Sequence, residues 1–574
     1  MFHQVLDPVA HNLFFTFVVG FIPIATVLVL LGIVRAPAWI AALAGLVIGF
    51  LIAVTIWQMP VGLAFRSALM GGAFALWPVM WIVVNALLLY NIAVRTGHFD
   101  AFRRWMVFNV PPDRRILMLV VAFSFGALLE GIAGFGAPVA ISAALLIALG
   151  FEALEAVTIA LIFNTAPVAF GALGVPITTL GAVTGLPVGA LSSMVGRQLP
   201  LFAFLLPFYA LIAFTGFRGL RGAWPVALVA GLSFALTQFF VSNYIGQQLP
   251  DVLASLVSLI CVVVFVKVWQ PKDIEDFRVN LPGGTAAAAT RRGSDAMLDD
   301  TGSNTPIGER DIPRPAASRE LSTGAPDLKE TILGWLPWVL VSAVVIFWVE
   351  ATVAANARQL IAWPGLDNKI FLTLYHKPYA AVYTFEPLGT GTAILVATII
   401  TTIIYFLVGR ARPEDVAGAI ADTFKQLYLA IITVAFIVAL AFLFNYSGMA
   451  YSLGLAISNV GSIYPFFAAF LGWIACFLSG SDTSSNALFG NLQATAARQL
   501  KLSPVLMAAT NSSGAVMSKM ISPQNVTTGA STIGLAGKEG SIIRRTFIHS
   551  IILEVLLGIV VMIQQYWIPG IIPK

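Results

Sequence analysis

The sequence predicts an all-α fold: a polytopic membrane helical bundle of about 12–14 spans in two inverted repeats, each with a re-entrant or broken hairpin and an interrupted helix. Three observations predict it. The chain is 59% hydrophobic and 10% charged over 574 residues, with a mean hydropathy of +0.90, outside the composition of soluble globular domains. Apolar runs of spanning length recur, among them Leu13 to Val34, Ala38 to Trp57, Trp224 to Val241, Val252 to Val268, Ile332 to Val349, Thr390 to Val408 and Thr546 to Ile563. Finally, LLEGIAGFGAPVA (Leu128 to Ala140) followed by FNTAPVAFGALGVPI (Phe163 to Ile177) is echoed by FLSGSDTSSNALFG (Phe477 to Gly490) followed by TNSSGAVMSKMISPQ (Thr510 to Gln524).

The spans follow from lipid chemistry. No water inside a bilayer satisfies exposed backbone groups, so the crossings are helices that bond internally. The first run lacks a basic leader and a small-residue cleavage site, so it reads as a span and not as a removed signal. Cys261 and Cys476 lie in separate apolar segments and no His or Cys cluster has ligand spacing, so no disulfide, metal or cofactor is expected.

Charge placement orients the spans. The formal net charge is +5, but in a membrane protein its position matters more than its total, and no nucleic-acid partner is implied. Arg95, Arg103, Arg104, Arg114 and Arg115 follow the third span; Arg218 with Arg221, Arg410 with Arg412, and Lys538 with Arg544 and Arg545 fall in other loops. Basic loops mark the cytoplasmic side, which puts both termini outside. Residues 271–330 are rich in Pro, Gly, Ala, Ser and mixed charge and read as a disordered cytoplasmic linker. It separates a first transmembrane half, 1–270, from a second, 331–574. The first half runs from outside to inside and the second from inside to outside, so similar halves are inverted. A polar insertion at 350–388, with Trp363-Pro364-Gly365 and Tyr375-His376-Lys377-Pro378, is an expected external loop of unread role.

Two segments are broken. Ile116 to Phe151 spans 36 residues with Glu130 as its single charge, and its middle carries Gly126, Gly131, Gly134, Gly136 and Pro138. Ser462 to Ala497 is also 36 residues, with Asp482 its single charge inside Ser479-Gly480-Ser481-Asp482-Thr483-Ser484-Ser485-Asn486. Each is too long for one span of about 20 residues and short for two with a loop. The backbone breaks are therefore placed at Gly131, Gly134, Gly136 and Gly480. Asn164 to Pro176 and Asn511 to Pro523 are both 12 apart, and Asn164-Thr165 and Asn511-Ser512-Ser513 are expected to begin unwound sections of the helices that follow. Helix starts inside the membrane expose N–H groups and a partial positive charge, which suits a carboxylate. Close helix packing is the other use of such small residues, but packing requires neither an acid nor an amide.

Ionisable residues inside a membrane are costly and mark function. Glu130 and Asp482 are the expected proton carriers; helix capping is the alternative for each. Lys519 could attract a substrate carboxylate, neutralise Asp482 or snorkel to an interface. His549 and Glu554 lie five residues apart in the last span, on different faces, and make a poor shared site. The substrate-binding candidates are Asn164, Thr165, Ser481, Thr483, Ser484, Ser485, Asn486, Asn511, Ser512 and Lys519.

EGIAGFGAPVAISAALLIALGF, IFNTAPVAFGALGVPITTL, GSDTSSNALFG and MSKMISPQNV, in that order across both halves, resemble the bacterial L-lactate permease family. The resemblance implies a cytoplasmic-membrane symporter that takes up lactate, and related 2-hydroxymonocarboxylates such as glycolate, with protons. That family is similar in repeat design to the ion transporter superfamily, whose members pair re-entrant hairpins with interrupted helices and commonly move a transport domain against a scaffold. Where that superfamily uses a Ser-Asn-Thr type motif, this chain has Ser481-Asp482-Thr483 and, in the first half, Ile132-Ala133-Gly134. The departure argues against its sodium site and toward protons.

The combined expectation is proton-coupled uptake of L-lactate, D-lactate or glycolate by a multi-pass protein of the inner membrane. Its partners are a monocarboxylate, a proton and the bilayer, with a homodimer left open. A sodium-coupled carrier for another organic carboxylate and an anion channel are the rivals. No metal triad or nucleophile with a paired base supports an enzyme.

Overall fold

The computed structural model describes residues 1–34, 36–132, 134, 137–279, 324–409, 411–532, 535 and 538–573. Gly136, Arg410 and most of the expected linker, 280–323, lie outside the described residues. Among the described residues eleven helices are long and apolar enough to cross a membrane, or twelve with the bent pair Ala153–Phe163 and Val168–Thr184 taken as one span. All seven apolar runs named above are helical, and the chain is a multi-pass membrane protein. One continuous stretch, Leu199–Tyr244, contains two crossings. It reverses at Gly216 (φ 69°, ψ 179°), and its arms pack so closely that a Cβ on Gly231 would lie 2.5 Å from the Phe204 carbonyl oxygen. Arg218 and Arg221 sit just past that turn.

Hydrogen bonds and ion pairs sort the ends of the helices onto two faces. On the basic face, Arg95 pairs with Asp422 at 2.7 Å, Arg104 with Glu330 at 3.2 Å, and Arg114 with Glu155. The buried Arg115 bonds Asp113 at 2.7 Å and Asp273 at 2.9 Å and lies 3.9 Å over the Phe277 ring. Val279 N–H then donates to the Pro112 carbonyl at 2.9 Å. The segment expected to be disordered from residue 271 is thus held through Val279, because Asp273 and Phe277 supply the charge and the ring that a buried guanidinium requires.

On the opposite face, the insertion at 350–388 forms two small sheets. Gln359–Ala362 pairs antiparallel with Val382–Phe385, and Ile370–Leu372 pairs antiparallel with Lys377–Pro378. Phe2–His3 joins Ile370–Leu372 in parallel, which places the N-terminal strand on the same face as the insertion. The sequence had no strand signal here, and these short pairs leave the fold class all-α.

Two groups of helices share the core. Leu13–Gly32, Ala38–Thr55, Val61–Phe74, Trp81–Arg95, Leu328–Glu350, Thr390–Leu407 and Pro413–Ser447 pack on one another, while the first broken segment packs with Leu199–Tyr244 and Pro250–Val268 and the second with Glu539–Tyr566. The first broken segment is a hairpin, with arms Arg114–Ile132 and Ala137–Ala148. The Arg114–Glu155 pair ties its beginning to the residues just past its end, so it opens to the basic face. The second hairpin has arms Tyr464–Ser479 and Asp482–Gln499. Tyr464 Oη donates to Gln493 Oε1 at 2.5 Å, and Arg498 donates to Tyr375 Oη at 3.2 Å, so it opens to the insertion face. Hairpins that enter from opposite faces are consistent with inverted halves.

Candidate functional site

The two hairpin tips and the two broken helices meet inside the second group of helices. There they enclose a cleft of about 40 Å³, lined by Glu130 and Gly134 of the first hairpin, Gly480 to Thr483 of the second, and Val168, Gly171, Ala172, Pro176, Lys519 and Gln524 of the broken helices.

Proline decides where each broken helix opens. Phe163 ends its helix because Pro167, four residues on, has no N–H for the Phe163 carbonyl, and Asn164 to Phe170 pass as turns and one tight 3₁₀ turn. The chain then takes left-handed angles at Ala172, Leu173 and Gly174 before Pro176. The second half has Gly514 where the register puts Pro167. Its helix therefore continues through Asn511, Ser512 and Ser513 to Ser518 and breaks over Lys519–Ile521, just ahead of Pro523. The expectation that Asn511 begins the unwound section is corrected accordingly.

The buried Lys519 ammonium hydrogen-bonds the Glu130 carboxylate, with both side chains at most 6% exposed. It neither snorkels nor pairs with Asp482. Glu130 Oε2 also accepts from Asn164 Nδ2 at 3.0 Å, and the side-chain Oδ1 of Asn164 has no partner among the described residues. Across the cleft, Asp482 accepts from Ser512 Oγ at 2.5 Å, and its other oxygen is unpartnered among the described residues. Asp482 is not the cap of its helix. Ser481 is, its Oγ accepting the Ser484 N–H at 3.4 Å, because the Ncap residue lies outside the helical dihedrals and Asp482 is already inside them. Gly480 (φ 71°) and Gly134 (φ 57°) supply left-handed turns at the two tips. Gly131 packs against Asp251 and Val252.

The remaining sequence candidates brace the site. Asn511 Nδ2 donates to Ser485 Oγ at 3.3 Å and Asn486 Oδ1 at 3.0 Å, and Asn511 Oδ1 accepts from Gln493 at 3.2 Å. Ser485 Oγ donates to the Gly472 carbonyl and Asn486 Nδ2 to the Pro176 carbonyl, each at 3.2 Å. These bonds lock the second hairpin onto both broken helices. Thr165 spends its hydroxyl proton on the Ile162 carbonyl at 2.7 Å. Ser484 does not line the cleft.

Sequence reasoning missed Gln524, at the end of the quoted TNSSGAVMSKMISPQ run, and Asp251. Asp251 is fully buried behind Gly131; Gln238 Nε2 bonds one of its oxygens at 2.9 Å and also the Ala166 carbonyl at 3.1 Å. The signal was an acid at the start of an apolar helix (Pro250–Val268), unreadable without the packing of that helix start against Gly131 of the first hairpin. As expected, His549 and Glu554 share no site: His549 meets Tyr209, and Glu554 is buried with neither oxygen partnered among the described residues.

Comparison with known proteins gives the family. A family model described as L-lactate permease matches residues 16–568. The chain belongs to the L-lactate permease family. It is 41% identical to the L-lactate permease of Bacillus subtilis (strain 168), over 99% of both chains. It is 39% identical to the glycolate permease GlcA of Escherichia coli (strain K12), over 96% of both, and 39% identical to the L-lactate permease of Salmonella typhimurium (strain LT2), over the full length of both. Among solved structures, Neisseria gonorrhoeae MtrF is similar at 14% identity over 85% of this chain and 81% of its own, with a TM-score of 0.42, too distant to bear on the site. As a member of a permease family, the chain is a transporter.

Proposed function

We propose that the chain is a secondary active transporter that takes up L-lactate and related 2-hydroxymonocarboxylates (D-lactate, glycolate) together with protons across the cytoplasmic membrane. The insertion at 350–388 and both termini then lie outside, and the linker inside. The observation that carries this reading is the buried Lys519–Glu130 pair at the meeting point of the two hairpin tips.

A carboxylate entering the cleft competes with Glu130 for the one buried ammonium that lines it. Around the cleft, three buried acids, Glu130, Asp251 and Asp482, face one buried base, Lys519. Once the substrate takes Lys519, Glu130 keeps only the Asn164 amide. An unpaired carboxylate in so buried a place costs several kcal/mol, so a proton joins Glu130. The loaded cleft carries the same net charge as the empty one, which suits movement across a low-dielectric layer. Ser481 and Thr483, at the start of the Asp482–Gln499 helix, offer hydroxyls, and Thr483 a first-turn backbone N–H, to the carboxylate and the 2-hydroxyl. The division of helices into two packed groups supports movement of the site-bearing group against the other.

The test is uptake of labelled L-lactate and glycolate by purified protein in liposomes under imposed proton or sodium gradients. A proton gradient is expected to drive accumulation that Glu130→Gln loses. If Glu130→Gln and Asp482→Asn both keep full proton-driven accumulation, the proton assignment is wrong. Accumulation that follows only sodium replaces it with the sodium-coupled reading, and flux without saturation or counterflow indicates a channel.

A further inference from the structure

A second cavity, a vestibule of about 630 Å³, lies beneath the 350–388 insertion. Its walls come from the insertion (Leu372, Tyr375, Lys377, Tyr379, Ala380 and Val382 to Thr384) and from five helices, Val61–Phe74, Gly171–Thr184, Pro413–Ser447, Met449–Ile457 and Asp482–Gln499. Its described lining residues include two cations, Arg498 and Lys377, and no carboxylate. Arg498 is half-buried and donates to Tyr375 Oη at 3.2 Å with its guanidinium 5.5 Å over the Tyr375 ring. It forms no ion pair with a carboxylate among the described residues. The Tyr379 ring lies 4.4 Å from that of Tyr446, and Tyr375 meets Tyr451 edge-on at 5.7 Å. Asn445 closes the floor, donating to the Val183 carbonyl at 2.7 Å and accepting from Asn491 at 2.8 Å.

Two helices run from this vestibule to the cleft. Asp482–Gln499 begins at the cleft with Asp482 and Thr483 and ends at the vestibule with Arg498; Gly171–Thr184 begins with Gly171 and ends with Val183 and Thr184. Sixteen residues of helix separate Asp482 from Arg498, about 24 Å. A half-buried guanidinium without a carboxylate partner, in a cation-lined chamber above an anion site, focuses field lines on small anions.

We propose that the vestibule is a second carboxylate-binding site, in which Arg498, with Tyr375, captures the incoming 2-hydroxymonocarboxylate before it passes to Lys519. The inference rests on the transport reading for the identity of the anion. The insertion at 350–388 then forms the wall that keeps the anion beside Arg498 rather than an inert surface loop.

Two measurements test it. In intact cells, Arg498→Gln is expected to raise the Km for L-lactate uptake about tenfold, the loss of one charge-assisted contact, and Arg498→Lys to recover most of it. In inverted vesicles, where substrate arrives from the opposite face, the same variant should leave Km unchanged. Equal rises from both faces, or none from either, overturn the proposal. The second measurement does not depend on transport. With Cys261 and Cys476 replaced by alanine, a Thr384→Cys chain is labelled by a membrane-impermeant thiol reagent, and millimolar L-lactate, glycolate or acetate should slow labelling at least threefold. That protection should vanish in the Arg498→Gln background. Labelling indifferent to every small carboxylate overturns the vestibule site whether or not the chain carries lactate. Protection without lactate or glycolate uptake instead upholds the anion site and overturns the transport reading.

Discussion

The two halves hold their hairpin acids in the same way and then part company. In each, a polar side chain of the broken helix donates to the hairpin carboxylate: Asn164 to Glu130 at 3.0 Å in the first half, Ser512 to Asp482 at 2.5 Å in the second. Only Glu130 also receives a cation, and that cation, Lys519, comes from the other half. The register puts Ala172 of the first half opposite Lys519, so nothing equivalent reaches across to Asp482. A shared framework thus holds its acids unequally, with a buried ion pair on one side and a hydrogen-bonded acid on the other.

The largest expected effects come from breaking the pair. Glu130→Gln or Lys519→Met leaves the other group charged, buried and alone, at a cost of about 3–5 kcal/mol. Each should reduce both the yield of folded protein, read by fluorescence-detected size exclusion, and accumulation in liposomes, the latter about 100-fold or more. Combining them removes both charges, so the double variant should recover yield without recovering proton-driven accumulation. Equal yields from the double and single variants would show that the two groups are not coupled.

The next contrast is between the breaks. A Cβ on Gly174 (φ 76°) would lie 2.2 Å from the Gln247 carbonyl oxygen, which cannot move independently of its backbone, whereas one on Gly480 (φ 71°) would lie 2.6 Å from the end of the flexible Gln524 side chain. Gly174→Ala should cost about 3 kcal/mol or more and Gly480→Ala about 1–2 kcal/mol, measured by thermal unfolding in detergent. The reverse order would make the second break the more rigid.

The two asparagines sharpen the comparison further. Asn511→Ala removes three hydrogen bonds and should lower stability by about 2 kcal/mol with Km little changed. Asn164→Ala removes the single bond to Glu130 and should alter the pH dependence of uptake, at about 1 kcal/mol of stability. An Asn511 variant with a shifted pH profile would place it in the transport chemistry instead. Asp482→Asn should have the smallest effect. The amide still accepts from Ser512, so uptake should fall only about threefold, with an unchanged proton-to-lactate ratio from paired pH and isotope fluxes. A changed ratio would move the proton to the second half.

Much of this was legible in the sequence because membranes impose strong rules. Apolar runs located the helices, and glycines within them located the hairpin tips at Gly134 and Gly480, whereas Gly131, also expected to be a break, is helical and packs against Asp251. Asn511 was misread because its equivalence to Asn164 in register says nothing of a Pro167 that the second half lacks. Asp482 was read as a possible cap because caps are local, while the bond it makes to Ser512 spans 30 residues. Asp251 was invisible for a similar reason: Gly131, which packs against it, lies 120 positions away in the chain.

By itself the sequence determined the all-helical class, the hairpin breaks at Gly134 and Gly480, the presence of Glu130, Asp482 and Lys519 within the broken elements, and the membership of a permease family. These follow from local rules: hydropathy for spans, glycine and proline for breaks, and the cost of charge in lipid for the functional residues. Only the tertiary structure decided which acid holds Lys519, that Ser485, Asn486 and Asn511 brace rather than line the cleft, and that the insertion roofs a chamber around Arg498. Those outcomes depend on contacts between segments hundreds of residues apart, such as Glu130 with Lys519, separated by 389 positions, and no local pattern encodes which of several reachable partners a buried charge will meet.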